Sequence, residues 1–449
     1  QPFYTSLFTS FTTMPRILLL GHGAREHIIA ERLAYSPQKP KLFAYMKAKN
    51  PGIADLAEDI KLGDYGDLTE IENFAKSVGI TFAVIGPEEP LQKGVVDALE
   101  KIGIPSVGPK KELAKLETSK AFTRLLLKKY GIPGQPRFKV FESPDGISGF
   151  LSELDAVVIK PDGLTGGKGV KVQGDHFQTK EEALTYCKQV LETHPAVVVE
   201  EKLEGEEFSL QSFTDGKTLL HCPAVQDHKR AFAGDKGPNT GGMGSYSIED
   251  HSLPFLSEVD IGQAKRITDL VREALFKETG SLYKGVMFGG FIAAKDGVKL
   301  LEYNARLGDP EAMNVLPILE NDFVGLCQSI IDGTLQRIKP AFSRKATVCK
   351  YAVPKGYPSS PVKGEKIFLG DVPKDVKVYY GSVEKADHAF LMTGSRAVAF
   401  VGLGKTLREA EELAESGANA AKGPIFHRED IGTAGLIAKR VSHMQQLRS

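Results

Sequence analysis

The chain opens with short apolar runs that alternate with stretches of helical periodicity. Residues 16–20 form an apolar run, and residues 24–34 follow it with Ile28, Ile29 and Leu33 at helical spacing. A second apolar run covers residues 81–85 and again precedes a helical pattern. Strands that alternate with helices are typical of a parallel sheet covered by helices. We therefore predict a parallel α/β domain over residues 14–116.

The pattern changes to mixed elements after residue 116. Thr118 and Ser119 can cap a helix over residues 121–129, and residues from about 137 to 205 carry short strands around one helix. Strand patterns return at residues 286–294 and 299–303, and Pro340 marks a boundary before a strand-rich remainder. We predict an α+β middle domain over residues 117–340, with a small lobe at about 137–205, and a C-terminal domain over residues 341–449. The fold class is mixed α/β and α+β in several domains.

Composition narrows the classes of function. The 449 residues include 57 Lys or Arg and 57 Asp or Glu, so no basic excess points to nucleic acid. The four cysteines form no CxxC pair, which is typical of a reduced cytosolic protein. No apolar stretch approaches the length of a membrane span. We expect a cytoplasmic protein that binds neither nucleic acid nor membrane, with residues 1–13 as an extension outside the fold.

The segment GHGAREH, residues 21–27, lies between a predicted strand and a predicted helix. Glycines there let the backbone approach a phosphate, the helix N-terminus offers free N–H groups, and Arg25 adds a guanidinium. A dinucleotide site would need a third glycine where Glu26 stands, and an acid at the end of the next strand, where the sequence has Tyr45 and Met46. A phosphorylated small substrate is favoured over NAD, with a tight turn that binds nothing as the alternative.

Two further segments could enclose a nucleotide. Lys160 ends an apolar run and precedes GLTGGKGV, residues 163–170, in which Lys168 is a second lysine. Two ammonium groups and a glycine-rich backbone suit a phosphate clamp, although no Walker sequence is present. VVVEEKLEGEEFS, residues 197–209, places a bend between two strands, where backbone groups can meet adenine and a carboxylate can meet ribose. Taken singly, the two segments could equally be a hairpin tip and a solvated acidic hairpin.

The segment LEYNAR, residues 301–306, places three polar side chains on one face of a strand. Glu302, Asn304 and Arg306 share that face because side chains alternate along a strand. A carboxylate and an amide oxygen suit Mg²⁺ bound to a nucleotide's phosphates, and the guanidinium suits the transferred phosphoryl group. This pattern predicts a metal-assisted phosphoryl-transfer site.

Two segments of the middle domain predict a mobile substrate loop. QDHKR, residues 226–230, supplies two basic side chains, and GPNTGGMG, residues 237–244, is rich in glycine. An ordinary surface turn is the alternative. No HExxH spacing is present, so a catalytic zinc is not expected.

Together and in this order, these segments resemble the ATP-grasp superfamily and, within it, the glycinamide ribonucleotide synthetase family. GPEEPLQKGVVD (86–97), SKAF (119–122), LEYNARLGDPE (301–311) and FHREDIG (426–432) extend the resemblance over nearly the whole chain. It implies an N-terminal α/β domain, a lid lobe, a larger ATP-grasp lobe and a C-terminal domain. It also implies that ATP and Mg²⁺ or Mn²⁺ join glycine to 5-phosphoribosylamine through a glycyl phosphate, in purine synthesis.

The resemblance also implies roles for individual residues. Nucleotide contacts fall on Lys120, Lys160, Gly166, Gly167, Lys168, Gly169, Glu200, Leu203 and Glu207. Glu302 and Asn304 match the metal ligands, and the catalytic positions are Arg306, Lys229 and Asp227. Substrate contacts fall on Gly23, Arg25, Glu26, Glu88 and Asn239.

Two departures from the family pattern and three rival functions accompany this hypothesis. Ala24 stands where the family usually has glycine, and Gly290 stands where many ATP-grasp strands carry a glutamine that binds metal, which leaves the occupancy of a second metal site open. A carboxylase-type ATPase of purine synthesis would share the ATP residues but not GPNTGGMG. An oxidoreductase built on GHGAREH would bind NAD(P)H, and an inactive nucleotide sensor would be expected to have lost Lys160 and Glu302.

Overall fold

The computed structural model of the protein describes residues 14–166 and 169–449. Its first domain consists, in chain order, of β1 (Arg16–Leu20), α1 (Ala24–Ala34), β2 (Lys41–Met46), α2 (Pro51–Leu56), β3 (Asp59–Leu62), α3 (Leu68–Ser77), β4 (Phe82–Ile85), α4 (Glu88–Lys93), α5 (Val95–Lys101) and β5 (Ser106–Val107). The strands form a parallel sheet in the order β3-β2-β1-β4-β5. Residues 17–20 are fully buried because helices cover both faces of a parallel sheet. The predicted parallel α/β domain is confirmed.

A small lobe with its own core follows the first domain. Two helices, α6 (Lys115–Thr118) and α7 (Lys120–Lys129), lead into β6 (Phe138–Phe141), α8 (Ile147–Ser152), β7 (Val157–Pro161), β8 (Lys171–Val172), α9 (Lys180–Thr193) and β9 (Val197–Glu201). The four strands pair in the antiparallel order β6-β9-β7-β8. Their buried side chains form a cluster separate from the main core. We call this unit the lid lobe; Gly167 and Lys168, in the loop from β7 to β8, lie outside the described residues.

The large lobe is organised around two long antiparallel strands. It contains β10 (Glu206–Thr214), β11 (Leu219–His221), β12 (Gln226–Asp227), β13 (Arg230–Phe232), β14 (Lys236–Asn239), β15 (Gly244–Ser247), α10 (Glu258–Thr279), β16 (Gly285–Ala294), β17 (Gly297–Asn304), α11 (Ala312–Val315) and α12 (Phe323–Asp332), with short 3-10 turns at Leu316–Ile318 and Leu335–Arg337. One sheet has the order β11-β10-β16-β17. The strands β13 and β14 form a separate two-stranded hairpin.

The last segment is rich in strands, as predicted. It contains β18 (Ala346–Pro354), β19 (Lys366–Leu369), β20 (Lys377–Tyr380), β21 (Val383–Ala386), β22 (Ala389–Met392), β23 (Val398–Gly404), α13 (Leu407–Ala420), β24 (Ala421–Lys422), β25 (Ile425–Phe426) and α14 (Ala434–Arg448). Strand β18 pairs with β23 and also with β15 of the large lobe. One sheet therefore continues across the predicted boundary at residue 340 and joins the C-terminal segment firmly to the large lobe.

The four cysteines lie in the interior of the protein. Cys187, Cys222, Cys327 and Cys349 are all buried and unpaired. Burial raises the pKa of the Cys187 thiol to about 12, so this side chain behaves as a small apolar group. Among the described residues, no helix has the length and hydropathy needed to cross a bilayer.

Candidate active site

A cavity of about 320 Å³ lies where all parts of the chain meet. The first domain contributes Arg25 and Glu88, the lid lobe contributes Lys160, the large lobe contributes Glu302, and the C-terminal segment contributes Arg396. A second cavity of about 890 Å³ lies between the lid lobe and the large lobe and shares part of this lining. The smaller cavity concentrates charge of both signs, which suits charged substrates rather than an apolar ligand.

The end of β17 places a carboxylate and an amide oxygen in the lining of the smaller cavity, and the carboxylate of Glu302 also lines the larger one. Glu302 and Asn304 both line the smaller cavity, as their alternation along the strand predicts. Burial alone would raise the pKa of Glu302, but the nearby cations Lys229 and Lys160 outweigh it and lower that pKa. The carboxylate is therefore ionised at neutral pH and suited to a hard divalent cation. Among the described residues, no group of three acidic, His or Cys side chains could enclose a metal alone, so a bound cation would take further oxygens from phosphates and water.

A cluster of buried charged side chains fixes the position of Lys160 in the lining of the smaller cavity. Glu200 accepts hydrogen bonds from Arg124 Nε at 2.6 Å and Nη2 at 3.0 Å, and pairs with Lys160 Nζ at 2.8 Å. Arg124 also donates to the carbonyls of Leu300 and Leu301, both at 2.9 Å, and Lys160 donates to Leu301 at 3.0 Å. The Glu200 carboxylate is thus committed to two cations, and its immediate effect is to hold Lys160 against β17.

The start of α7 is tied to the glycine-rich loop. Ser119 caps the helix, and the side chain of Asp162 accepts hydrogen bonds from the Ser119 hydroxyl at 3.0 Å and from the Ala121 N–H at 3.0 Å. Lys120 Nζ donates to the Gly163 carbonyl at 2.8 Å. These bonds place the ammonium group of Lys120 beside the loop predicted to cover phosphates.

The GHGAREH segment is organised around the buried carboxylate of Glu26. One oxygen of Glu26 accepts from the Gly23 N–H at 2.7 Å, and the other pairs with Arg25 Nε at 2.5 Å. A β-carbon at Gly21 or Gly86 would lie 2.1 Å or 2.3 Å from Glu26 Cγ, so both glycines make room for this side chain. Arg25 also donates to the Leu307 carbonyl at 3.1 Å. The carboxylate of Glu26 therefore fixes the orientation of the Arg25 guanidinium.

Arg306 lies between two carboxylates. Its Nη2 pairs with Glu117 at 3.0 Å and its Nε lies 3.3 Å from Glu88. Glu117 also accepts from the Ala305 N–H at 2.8 Å. Burial raises the pKa of Glu117 to about 6, whereas Arg306 and Arg25 lower the pKa of Glu88 to about 2 against the effect of its burial. The guanidinium is therefore held at a fixed place beside Glu302 and Asn304 at the end of β17.

Lys229 also lines the smaller cavity, where several acidic side chains lie near its ammonium group. Lys229 Nζ lies 3.3 Å from Glu207, and its pKa is raised by Glu207, Glu302 and Asp227. Glu311 is buried and Asp227 is partly buried. Desolvation raises the pKa of each carboxyl, and repulsion adds to it, from Glu311 on Asp227 and from Asp309 on Glu311. These charges of opposite sign, of which Lys229 and Glu207 are about half exposed, can hold a zwitterion or a dianion in a defined orientation.

Arg396 lines the same cavity from the C-terminal segment. Its guanidinium pairs with Asp309 at 3.1 Å and donates to the Gly241 carbonyl at 2.7 Å. The C-terminal segment therefore holds the GPNTGGMG loop as well as lining the cavity.

The structure brings most of the predicted site residues together. The smaller cavity is lined by Arg25, Glu88, Lys120, Lys160, Gly166, Glu200, Glu207, Asp227, Lys229, Glu302, Asn304 and Arg306. Leu203 and Asn239 line the larger cavity, and Gly23, Glu26 and Gly169 line neither. Gly167 and Lys168 lie outside the described residues. The individual contacts of all these residues with ligands stay predictions.

Sequence reasoning missed five charged residues of the site, namely Glu117, Arg124, Asp309, Glu311 and Arg396. The sequence could have indicated Asp309 and Glu311, because they lie shortly after Arg306 in the same segment, LEYNARLGDPE. Glu117 lies two positions before the first residue of the SKAF segment, Ser119. Arg124 and Arg396 stand in no motif and enter the site only through the fold.

Comparison with known families decides what kind of site this is. The N domain of phosphoribosylglycinamide synthetase matches residues 15–117, its ATP-grasp (A) domain matches residues 118–312, and its C domain matches residues 347–434. The chain belongs to the phosphoribosylglycinamide synthetase family. The resemblance inferred from the motifs is confirmed, and with it an ATP-grasp enzyme that acts on small molecules. The rival oxidoreductase is excluded.

Individual relatives agree over almost the whole chain. The phosphoribosylamine–glycine ligase of Methanosarcina acetivorans is 50% identical over 433 residues, which cover 96% of this chain and 98% of the relative. That of Methanocaldococcus jannaschii is 49% identical over 444 residues, 96% of this chain and all of the relative. The crystal structure of the Thermotoga maritima phosphoribosylamine–glycine ligase superposes with a TM-score of 0.77 at 29% identity, over 93% of this chain and all of that one.

A more distant structure shares the fold alone. The biotin carboxylase of Campylobacter jejuni has a TM-score of 0.74 at 12% identity, over 97% of this chain and 99% of that one. The fold is thus shared by enzymes of different reactions, and the choice among those reactions rests on the site.

Proposed function

We propose that the chain joins glycine to 5-phosphoribosylamine at the expense of ATP, giving glycinamide ribonucleotide, ADP and phosphate. One observation carries the proposal. The nucleotide-side residues Lys160 and Glu302 share a single 320 Å³ cavity with the substrate-side residues Arg25 and Glu88 of the first domain. Phosphoryl transfer and amide formation can therefore occur in one enclosure without release of a reactive intermediate.

The reaction needs charge neutralisation and positioning rather than a protein nucleophile. The carboxylate of glycine is a poor acceptor for an amine because oxide would have to leave. Transfer of the γ-phosphoryl group of ATP to one carboxylate oxygen gives glycyl phosphate and ADP. The amine of phosphoribosylamine then attacks the carbonyl carbon, the nitrogen loses one proton to the departing phosphate or to solvent, and phosphate departs with the oxygen that glycine supplied. Each step moves negative charge between oxygens, so fixed cations in a dry cavity are the main catalytic device.

The residues divide into a nucleotide side and a substrate side. Lys120, Lys160 and the glycine-rich loop would bind the phosphates of ATP, and Glu302 with Asn304 would hold Mg²⁺ or Mn²⁺, which supplies charge neutralisation at those phosphates. The backbone of Leu203 would meet adenine and Glu207 would meet ribose. The hydrogen bonds that fix Lys160 and Lys120 beside the glycine-rich loop and β17 support these assignments.

Arg306 and Lys229 would flank the phosphoryl group during transfer. Arg306 is fixed by Glu117 and lies beside Glu302 and Asn304 at the end of β17. Lys229 lines the same cavity and lies close enough to Glu302 to lower the pKa of its carboxyl. Asp227 lies next to Lys229 and would help to orient glycine. Two cations in one cavity suit a phosphoryl group that passes between two oxygens.

Phosphoribosylamine would bind against the first domain. Arg25, braced by Glu26, offers a guanidinium to its phosphate, and Glu88 offers a carboxylate to its ribose hydroxyls. Asn239, in the hairpin at the edge of the larger cavity, would close over the substrates.

The test is ADP release in the presence of glycine and freshly prepared phosphoribosylamine, with Mg²⁺. We expect release to require both substrates, with stoichiometric glycinamide ribonucleotide detected by mass spectrometry. A carboxylase-type ATPase would instead release ADP with bicarbonate and without glycine. ADP release that ignores glycine, or no product mass, would exclude the proposed ligation.

A further inference from the structure

The segment FHREDIG carries part of the family resemblance but contributes no residue to the reaction described above. Its arginine, Arg428, is only 1% exposed although it is one of the largest side chains in the protein. Arg428 binds both oxygens of Asp430, through Nε at 2.9 Å and Nη2 at 2.8 Å. Arg428 also donates hydrogen bonds to the large lobe. Its Nη1 donates to the Arg230 carbonyl at 3.1 Å, and its Nη2 donates to Asp235 at 3.2 Å.

Hydrogen bonds and ion pairs hold the two residues that flank Arg428 in place. Lys350 is fully buried, pairs with Glu411 and Glu415 at 2.6 Å each, and donates to the Glu429 carbonyl at 2.8 Å. His427 lies 3.1 Å from Glu415. Both neighbours of Arg428 are thus anchored to α13 and β18, so the position of its guanidinium is set by the C-terminal core.

The partner of Arg428 is the β13–β14 hairpin. Its tip turns at Gly234 and Asp235, both with positive φ, at 73° and 61°. The Gly234 N–H donates to Asp430 at 2.9 Å, and Asp235 pairs with Arg440 of α14 at 2.7 Å. The C-terminal segment therefore grips the hairpin at its tip and, through the Arg230 carbonyl, at its base.

Lys229 is the residue immediately before this hairpin. Its carbonyl accepts from the Thr240 N–H at 2.7 Å and the Thr240 hydroxyl at 2.8 Å, which closes the hairpin base. Its ammonium group points to Glu207 and Glu302 in the cavities. A shift of the hairpin base would accordingly move Lys229 relative to the metal-binding carboxylate.

We propose that Arg428 is a positioning residue for Lys229, acting through the Arg230 carbonyl and the β13–β14 hairpin. The inference rests on the proposed function, in which Lys229 flanks the transferred phosphoryl group. Arginine suits the task because its planar fork serves a bidentate carboxylate and still has donors for a carbonyl and a second acid. A lysine at this position would have to give up some of these bonds.

The test is a double-mutant cycle on the full-length chain. Arg428→Met and Arg428→Lys are each made alone and together with Lys229→Met, and kcat is measured for ligation. Arg448→Met is the matched control, because Arg448 also lies in the C-terminal segment, binds Asp260 at 2.8 Å and 2.9 Å, and donates to the Ala294 carbonyl away from the cavities. Displacement of a catalytic group by about 1 Å lowers rates by about 100-fold, so we expect Arg428→Met to lower kcat by about that factor with the native Lys229 present.

The dependence on Lys229 distinguishes positioning from loss of folded protein. We expect Arg428→Met to change kcat less than about threefold once Lys229 is methionine, because two residues that act through one group are not additive. Arg448→Met should have the same small effect in both backgrounds. An equal loss from Arg428→Met in both backgrounds, or none in either, would overturn the proposal. Arg428→Lys, which keeps the charge, should show the same dependence at a smaller size.

A second readout does not depend on substrates. Hydrogen exchange of residues 229–240 should rise in Arg428→Met and stay at the wild-type level in Arg448→Met, even if ligation itself were not observed. Unchanged exchange in Arg428→Met would mean that the C-terminal segment does not hold the hairpin. Absence of ligation by the wild type would contradict the proposed function, and the exchange result would still decide whether Arg428 anchors the hairpin.

Discussion

Replacement of Arg124 by methionine should weaken both the fold and the nucleotide site. Arg124 is 2% exposed, and its guanidinium makes two bonds to Glu200 and two to the carbonyls of Leu300 and Leu301. Methionine fills much of the same volume but donates no hydrogen bond. Glu200 would retain only Lys160 as a partner, the Leu300 carbonyl would lose the Arg124 bond, and the Leu301 carbonyl would keep only its bond from Lys160.

We expect a large loss in the free energy of unfolding, because the carboxylate of Glu200, which loses Arg124 as a partner, is buried. Removal of one partner of a buried ion pair costs about 3–5 kcal/mol, mostly as the penalty of the charge left behind. Lys160 partly compensates for that charge, so we expect a loss near 3 kcal/mol in the free energy of unfolding. The same compensation draws the Lys160 ammonium more firmly to Glu200 and away from phosphate. Affinity for ATP should therefore fall together with stability.

Urea denaturation and calorimetric ATP titration measure the two effects. Arg137→Met is the matched control, because Arg137 pairs with Glu153 at 3.3 Å with more than half of each side chain exposed, and exposed pairs contribute little. The reasoning is refuted if Arg124→Met unfolds at the same urea concentration as Arg137→Met and binds ATP as tightly as the wild type.

Three further predictions concern the reaction. Glu302→Gln should abolish ligation and leave the unfolding midpoint unchanged, because a hard cation loses its charged ligand; activity restored by saturating Mg²⁺ would contradict this. Arg25→Ala should raise KM for phosphoribosylamine more than tenfold, since a lost charged contact costs about 2–5 kcal/mol, whereas an equal rise for all three substrates would make Arg25 structural. Because burial raises the pKa of Glu117 to about 6, kcat should fall as pH drops below that value and Arg306 loses its charged partner. In Glu117→Gln kcat should be low throughout, and a persistent inflection would assign the titration to another group.

Local sequence signals were sufficient for much of the framework. The helix predicted over residues 24–34 is α1 (Ala24–Ala34), because a glycine turn precedes it and its apolar face is unambiguous. The alternation of Glu302 and Asn304 placed both at the cavity, since strand geometry has a fixed period of two residues. These predictions succeeded where a few neighbouring residues determine the conformation.

Long-range ion pairs could not be predicted in this way. Arg124 and Glu200 are 76 positions apart, and Arg396 reaches Gly241 over 155 positions, so no window of sequence contains both partners. Glu26 shows the related difficulty that one motif permits two roles. The sequence suggested a substrate contact, which stays a prediction; in the structure one oxygen of Glu26 accepts from the Gly23 N–H and the other pairs with Arg25. Which side chain faces the cavity depends on packing that the pattern does not contain.

The central claim is that glycine is activated as an acyl phosphate in this cavity and then captured by phosphoribosylamine. Ligation with glycine labelled by ¹⁸O at both carboxylate oxygens tests it most directly, with mass spectrometry of the inorganic phosphate and of the amide product. The mechanism predicts one labelled oxygen in each phosphate and the other in the amide carbonyl of the product. Unlabelled phosphate would contradict the account, because glycine would then never have accepted the phosphoryl group.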